Sequence, residues 1–298
     1  ESSMPLVATL IANPSRPVLA ADLADRASRA AGASRIDWLA EGVAADLHLP
    51  EGANADETLA ALRAALDGAP VDAAVQEAAS RRKRLLVADM DSTMIDQECI
   101  DELADEVGLK EHVAAITARS MNGEIAFEPA LRERVALLAG LETAVIGRII
   151  DNRITLASGG RALVATMNAA GAWTALVSGG FLSFTGPIAG RLGFRENRAN
   201  LLLERDGRLT GEVAEPILGR EAKAVALTEI SARLGITPAE AIAVGDGAND
   251  LDMLALAGSG VALHAKPAVA ERARIRIDHG DLTALLYLQG YRREEFAA

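Results

Sequence analysis

The chain is poor in cysteine, aromatic residues and positive charge. Cys99 is the single cysteine among 298 residues. That excludes an intrachain disulfide framework and any zinc site built from several thiolates, and it suits a reducing, cytoplasmic compartment. Aromatics make up 3% of the chain, and Trp38 and Trp173 read as packing residues rather than ligand platforms. Lys plus Arg number 30 against 42 Asp plus Glu, a formal charge of −12. Nucleic acid is therefore not an expected partner, because a phosphate backbone is bound by a basic stripe. No run approaches the roughly 20 apolar residues of a membrane span, so no membrane partner is expected. The N-terminus lacks the basic start and apolar core of a secretory signal, and Glu1–Ser3 read as residues ahead of a native start at Met4. What remains is ordinary for a soluble globular protein: 50% hydrophobic and 24% charged residues, at a length that suits two domains.

The first domain, 1–80, alternates in type. Residues 6–11 are a short apolar run, and 17–31 follow with helical spacing (Leu19, Leu23, Ala27, Ala30). Residues 35–39 and 44–49 look like two strands joined around Glu41-Gly42. Residues 55–66 repeat at helical spacing, and 71–76 close as a strand. The order β-α-β-β-α-β places helices on one face of an antiparallel α+β sheet. Arg81, Arg82, Lys83 and Arg84 mark the join and read as a solvated linker.

In the second domain, 81–298, apolar runs of strand length recur at 85–88, 174–177, 241–244 and 260–263, with helical stretches between them. This pattern predicts a parallel sheet buried on both faces, a doubly wound α/β domain with its ligand at the carboxyl ends of the strands. The first gap, about 96–160, is too long for one crossover helix. Its helical periodicity (Ile100, Leu103, Ala104, Val107, then Leu131, Val135, Leu138) predicts an inserted helical cap, with Gly123, Gly140 and Gly159 as hinge positions.

Each predicted strand ends in polar residues. The first ends in Asp89-Met90-Asp91-Ser92-Thr93, the second in Ser178-Gly179-Gly180, and a later one in Gly245-Asp246-Gly247-Ala248-Asn249-Asp250; Lys223 lies between the last two. Asp89 and Asp91 leave one strand on the same side, and Asp246 brings a third acid. Carboxylates this close repel unless a cation sits among them or one holds a proton. Oxygen ligands favour a hard ion, Mg²⁺ first, and Mg²⁺ favours phosphate substrates. Ser178, the Gly179 and Gly180 amides and Lys223 supply donors for phosphate oxygens. A carboxylate beside the ion can attack phosphorus, and a second can move the proton. The first motif alone is weak. The Gly-Asp-Gly-x-Asn-Asp motif arises by chance in about one of several thousand such chains, so all three in this order are no accident.

On these residues, 85–290 resemble the haloacid dehalogenase superfamily, and within it the phosphoserine phosphatases. The match includes Asp89–Glu98, Val177–Phe181, Arg220–Lys223 and Ala243–Leu254, and the segment Phe127–Leu138 resembles the family's substrate-gripping helix. The resemblance implies a Rossmann-like core with a small helical cap. It implies Asp89 as nucleophile and Asp91 as general acid and base. It implies Mg²⁺ held by the Asp89 and Asp246 side chains and the Asp91 carbonyl, with Asp250 orienting the ligands from behind. Ser178 and Lys223 would grip phosphate, and Asn249 would lie near it. Glu98 would face the substrate amino group and Arg134 its carboxylate. Met121 and Phe127 would close over the substrate. On a helix, Arg134 shares the face of Leu131, Val135 and Leu138, and Arg132 points about 100° away.

The implied reaction is hydrolysis of a small-molecule phosphomonoester, O-phospho-L-serine, to L-serine in the last step of serine biosynthesis. Phosphothreonine, phosphohomoserine, or transfer of the phosphoryl group to an alcohol remain alternatives. The first domain resembles, by topology, the ACT-like amino-acid-binding domains that precede some of these enzymes, which implies L-serine binding or a homodimer there. His48, His112 and His279 have no partner spacing, His264 has no assigned role, and Cys99 reads as an inert buried thiol.

Overall fold

Side chains leaving alternate sides of the first strand enter two different cores. In the computed structural model, which describes residues 4–298, β1 (Leu6–Ala12) sends Ala8, Leu10 and Ala12 beneath two helices, α1 (Ala21–Ala30) and α2 (Ala55–Leu66). Ile11, on the other face, joins the core of the second domain. The reading of Glu1–Ser3 lies outside the described residues. Strands β2 (Arg35–Ala40), β3 (Ala44–His48) and β4 (Val71–Glu77) complete an antiparallel sheet ordered β2-β3-β1-β4, in the expected β-α-β-β-α-β order. The first helix is shorter than its periodicity suggests, because residues 17–20 stay outside it and Leu19 bridges to Gly42. α2 begins where the Asn54 side chain accepts from the N–H groups of Asp56 and Glu57 at 2.9 and 3.1 Å, satisfying donors that the first turn leaves open.

The second domain opens with β5 (Leu85–Ala88). The chain then enters four cap helices, α3 (Cys99–Asp105), α4 (Lys110–Met121), α5 (Phe127–Ala136) and α6 (Val145–Asn152), and returns through α7 (Gly160–Ala169) to β6 (Trp173–Phe181). After α8 (Leu182–Leu192) and β7 (Glu196–Asn200) comes a hairpin, β8 (Leu202–Arg205) and β9 (Arg208–Val213). α9 (Arg220–Arg233), β10 (Ala241–Gly245), α10 (Leu251–Leu256), β11 (Ser259–Leu263), α11 (Pro267–Ala270), β12 (Ile275–Ile277) and α12 (Ala284–Leu288) follow.

The six-stranded sheet, ordered β12-β11-β10-β5-β6-β7, is parallel throughout. Its continuous apolar runs divide by period two: Leu86, Ala88, Leu176, Ile242 and Val244 face one core, and Leu85, Val87, Ala175, Val177, Ala241 and Ala243 the other. Both faces are covered, as the unbroken apolar runs predict. Burying each large aliphatic side chain contributes roughly 1.5–3 kcal/mol, so Val244→Asp would remove a contact and bury a charge at the strand that carries the site.

Four strands escape the sequence reading. β7 is polar (Glu-Asn-Arg-Ala-Asn) and β12 has three residues, so neither forms a recognisable apolar run. The β8–β9 hairpin turns at Asp206-Gly207, a legible hairpin signal. It packs on the cap: the Gly140 N–H donates to the Leu209 carbonyl at 2.8 Å, and Glu142 bridges to Arg208.

Of the four basic residues at the join, Arg82 and Arg84 are exposed as a solvated linker would be, but Arg81 and Lys83 are not. Lys83 is buried, and its Nζ donates to the Ala239 carbonyl at 2.8 Å. Arg81 clasps buried Asp46 with two hydrogen bonds, at 3.0 and 2.7 Å. The Arg82 guanidinium stacks 3.8 Å from the Tyr291 ring centroid. Arg81 has its partner because the first sheet docks face-on against the second domain, with Ile11, Leu39, Val43, Ala44 and Ala74 sharing a core with Leu285, Tyr287 and Leu288. Asp72 completes the seam, accepting from the N–H groups of Asp278 and Gly280, each at 2.8 Å. Among the described residues, no helix is long and apolar enough to cross a membrane.

Candidate active site

The carboxyl ends of β5, β6 and β10 meet beneath the cap. Asp89, Asp91, Glu98, Met121, Phe127, Arg134, Ser178, Gly179, Gly180, Asp246 and Asn249 all line one pocket. Lys223 and Asp250 lie behind it, each with no exposed surface. Adjacent parallel strands place their ends side by side, and β5 lies between β6 and β10, so motifs far apart in the chain converge.

Asp89 has one oxygen fully engaged. Its Oδ1 accepts from the Met90 N–H at 2.8 Å and sits 2.7 Å from Lys223 Nζ, leaving Oδ2 free. Asp91 Oδ1 accepts from the Cys99 N–H at 2.8 Å, which fixes the carboxylate and leaves its second oxygen toward the Ser178-Gly180 turn. Cys99 is buried as expected, and burial pushes its thiol well above the ordinary value. Thr93 Oγ1 donates to Asp246 Oδ1 at 3.0 Å. Asp250 binds Lys223 Nζ at 2.7 Å with one oxygen and the N–H groups of Asp246 and Gly247, at 3.1 and 3.0 Å, with the other. Both Asp250 oxygens are thus occupied by the protein's own donors, which suits a residue that orients the loop.

Two details differ from the sequence reading. The Gly180 amide is not free: the preceding turn folds Ser178 Oγ onto it at 2.9 Å. Lys223 points its ammonium into the floor of the site, between Asp89 and Asp250, and not into the pocket. The entry into α9 places the side chain beneath Asp89, a direction that spacing along the chain does not encode.

On the cap side, Arg134 is 2% exposed and Arg132 lies outside, paired with Glu128 and Glu215. The helical phase of α5 accounts for both. Arg134 Nε donates to the Ala130 carbonyl at 3.0 Å and Nη1 to Thr117 Oγ1 at 2.9 Å. Glu98, at the start of α3, accepts from Ser92 Oγ at 2.6 Å. Sequence reasoning missed Ile100 and Phe181 as lining residues, whereas Leu131 lines the pocket beside Arg134, whose helix face it shares. It also missed the supporting Ser92, Thr93, Thr117 and Asn200, the last holding the Gly179 carbonyl at 2.9 Å. Ser92 and Thr93 lie inside the first motif and were findable there; Asn200 and Thr117 carry no local signal.

The electrostatics are unbalanced. Asp89, Asp91, Glu98, Asp246 and Asp250 crowd around Lys223 and Arg134. Burial and then repulsion from Asp250 push Asp89 up to about 8, with Lys223 offsetting only part. Burial and Asp91 push Glu98 up to about 8. Burial, then Glu98, Asp250 and Asp89, raise Asp246 well above the carboxylate range. Burial opposes the Lys223 charge, but Asp250 and Asp89 more than offset it and raise that ammonium. Carboxylate oxygens of Asp89, Asp246 and Asp250 lie within 4.8 Å of one another. This all-oxygen, negatively overcharged set fits a hard divalent cation. Asn249 Oδ1, buried in the pocket with no hydrogen-bond partner, is a further polar atom for a ligand to satisfy.

A model of the haloacid dehalogenase-like hydrolases matches residues 86–255. A phosphoserine phosphatase from Albidiferax ferrireducens is 47% identical over 210 residues, 69% of this chain and 89% of its own length. One from Streptomyces coelicolor is 43% identical over 230 residues; the match spans 76% of this chain but 56% of that longer protein. Among solved structures, a HAD family hydrolase from Salmonella enterica serovar Typhi aligns over 96% of this chain and 98% of its own, with a TM-score of 0.84 and 29% identity. A phospho-aspartyl intermediate analogue of phosphoserine phosphatase aligns over 69% of this chain and 98% of its own, with a TM-score of 0.66 and 39% identity.

Proposed function

This chain belongs to the haloacid dehalogenase-like hydrolases, and from that premise we propose that it is a cytoplasmic, Mg²⁺-dependent phosphomonoester hydrolase. Its substrate in this reading is O-phospho-L-serine, and L-serine the product, at the last step of serine biosynthesis. The observation that carries the substrate is the pair Glu98 and Arg134, a carboxyl group and a fork-shaped cation lining the same pocket as Asp89. A phosphorylated zwitterion needs both.

The free Oδ2 of Asp89 attacks phosphorus. The bond from phosphorus to the serine oxygen breaks, and Asp91, acting as general acid, delivers a proton to the departing alkoxide. Asp91, now a base, takes a proton from water, whose oxygen attacks the aspartyl-phosphate. The Asp89–phosphorus bond breaks, and phosphate leaves with Asp91 reprotonated. Ser178 and Asn249 contact the phosphate, Lys223 holds Asp89 in place, and Met121 and Phe127 exclude bulk water. Mg²⁺ held by the Asp89 and Asp246 carboxylates and the Asp91 carbonyl, with Asp250 behind them, would offset the repulsion between the nucleophile and an anionic phosphate.

The division into 1–80 and 81–298, with the cap at about 96–160, is part of this reading. L-serine as a ligand of the first domain and a homodimer rest on topological resemblance, and calorimetric titration with L-serine and light scattering test them. The enzymatic reading is tested by phosphate release from phosphoserine, phosphothreonine, phosphohomoserine and an aryl phosphate, with and without Mg²⁺ and with added alcohols. Preference for phosphoserine and loss of turnover on chelation are expected. No Mg²⁺-dependent release from any of the esters would end the proposal.

A further inference from the structure

Arg134 enters the pocket without an ion-pair partner among the described residues, although it is 2% exposed. A buried guanidinium is costly unless hydrogen bonds and an opposite charge meet it. Of its five N–H groups, one binds the Ala130 carbonyl and one the Thr117 hydroxyl. Thr117 sits on α4, 3% exposed, with its Oγ1 2.9 Å from Asp101 Oδ1 and 3.0 Å from the Val113 carbonyl. Because this hydroxyl accepts from Arg134, its own hydrogen goes to one of those two oxygens. Asp101 thus lies within hydrogen-bonding distance of the same hydroxyl that Arg134 binds, with no direct ion pair between Asp101 and Arg134 among the described residues. A direct pair would fill the guanidinium fork and neutralise it before substrate arrives.

We propose that Thr117 is a positioning residue that orients the Arg134 guanidinium toward the substrate carboxylate and holds Asp101 one hydrogen bond away, so that the remaining N–H groups stay open to an anion. The proposal rests on the reading of Arg134 as the carboxylate anchor. It makes Thr117 a determinant of specificity for carboxylate-bearing phosphoesters, although it does not reach the substrate itself.

Thr117→Val keeps the shape and removes the hydroxyl. The KM for O-phospho-L-serine should rise about ten-fold or more, with kcat affected far less and p-nitrophenyl phosphate hydrolysis changed much less than either. Thr117→Ser should recover most of the lost affinity. In an Arg134→Ala background, Thr117→Val should add nothing, because the two act through one guanidinium. A Thr117→Val enzyme with unchanged phosphoserine KM, or with equal losses on both substrates and no rescue by Ser, overturns the proposal. If Arg134→Ala raises that KM while Thr117→Val does not, Thr117 alone is refuted. If Arg134→Ala leaves it unchanged, the anchor reading falls and this proposal with it. Should Thr117→Val fail to show a cooperative melt, Thr117→Ala is read by the same criteria.

Discussion

Lys223 Nζ lies 2.7 Å from Asp89 Oδ1 and 2.7 Å from Asp250 Oδ1, with no part of its side chain exposed to solvent. One ammonium thus joins Asp89, just past the end of β5, to the loop after β10. Because it sits beneath Asp89, its contribution is to hold that carboxylate in one orientation and limit its repulsion from Asp250.

Lys223→Met leaves two buried carboxylates facing one another. Breaking a buried pair from one side costs roughly 3–5 kcal/mol. The expected result is a fall of roughly 10 °C in Tm, measured by thermal unfolding without divalent ions, together with a loss of at least about 10²-fold in kcat. A variant melting with the parent would show that Lys223 does not organise the site.

Asp89→Asn separates chemistry from folding. It removes the proposed nucleophile yet retains an oxygen able to accept from Met90 and relieves part of the carboxylate crowding. Turnover should drop by at least about 10³-fold, while Tm stays level or rises. Near-normal turnover would rule out Asp89 as the attacking group.

Gly159, at the return from the cap, has φ of +81°, and a Cβ there would lie 2.7 Å from the Thr283 main-chain N. Gly159→Ala combines left-handed strain of about 1–2 kcal/mol with a backbone clash. Gly140, with φ of +86°, has nothing within 4 Å of its Cβ position and should show only the strain. Thermal unfolding of both variants should therefore place Gly159→Ala lower; equal melting points would contradict the clash.

Asp37 pairs with Arg292 across the seam between the domains, at 2.7 Å. The hydrogen bond from Arg292 holds the Asp37 carboxyl below its ordinary value of 3.8. A carboxylate with a depressed folded value contributes stability that is present above the unfolded value and lost as pH falls through the folded one. The pair is partly exposed, so the effect is small. Asp37→Asn should melt below the parent at neutral pH, and the difference should close as pH drops below 3.8. A difference that persists in acid would mean that packing, and not charge, links the pair.

Much of this molecule was written along the chain. The unbroken apolar runs marked β5, β6, β10 and β11 because a strand covered on both faces has no polar side to show. The helical phase of α5 by itself puts Arg134 inward and Arg132 outward. The three acidic and glycine-rich strand ends named the pocket, because parallel strands deliver their carboxyl ends to one edge. What the chain alone left undecided depends on which surfaces meet. Docking of the first sheet paired Arg81 with Asp46, so part of a basic run became a seam. The direction of the Lys223 side chain, the closure of Ser178 onto the Gly180 amide and the link from Asp101 through Thr117 to Arg134 each join residues that no period connects. Periodicity records which side of an element faces inward; only packing of whole elements decides which polar group waits there to meet it.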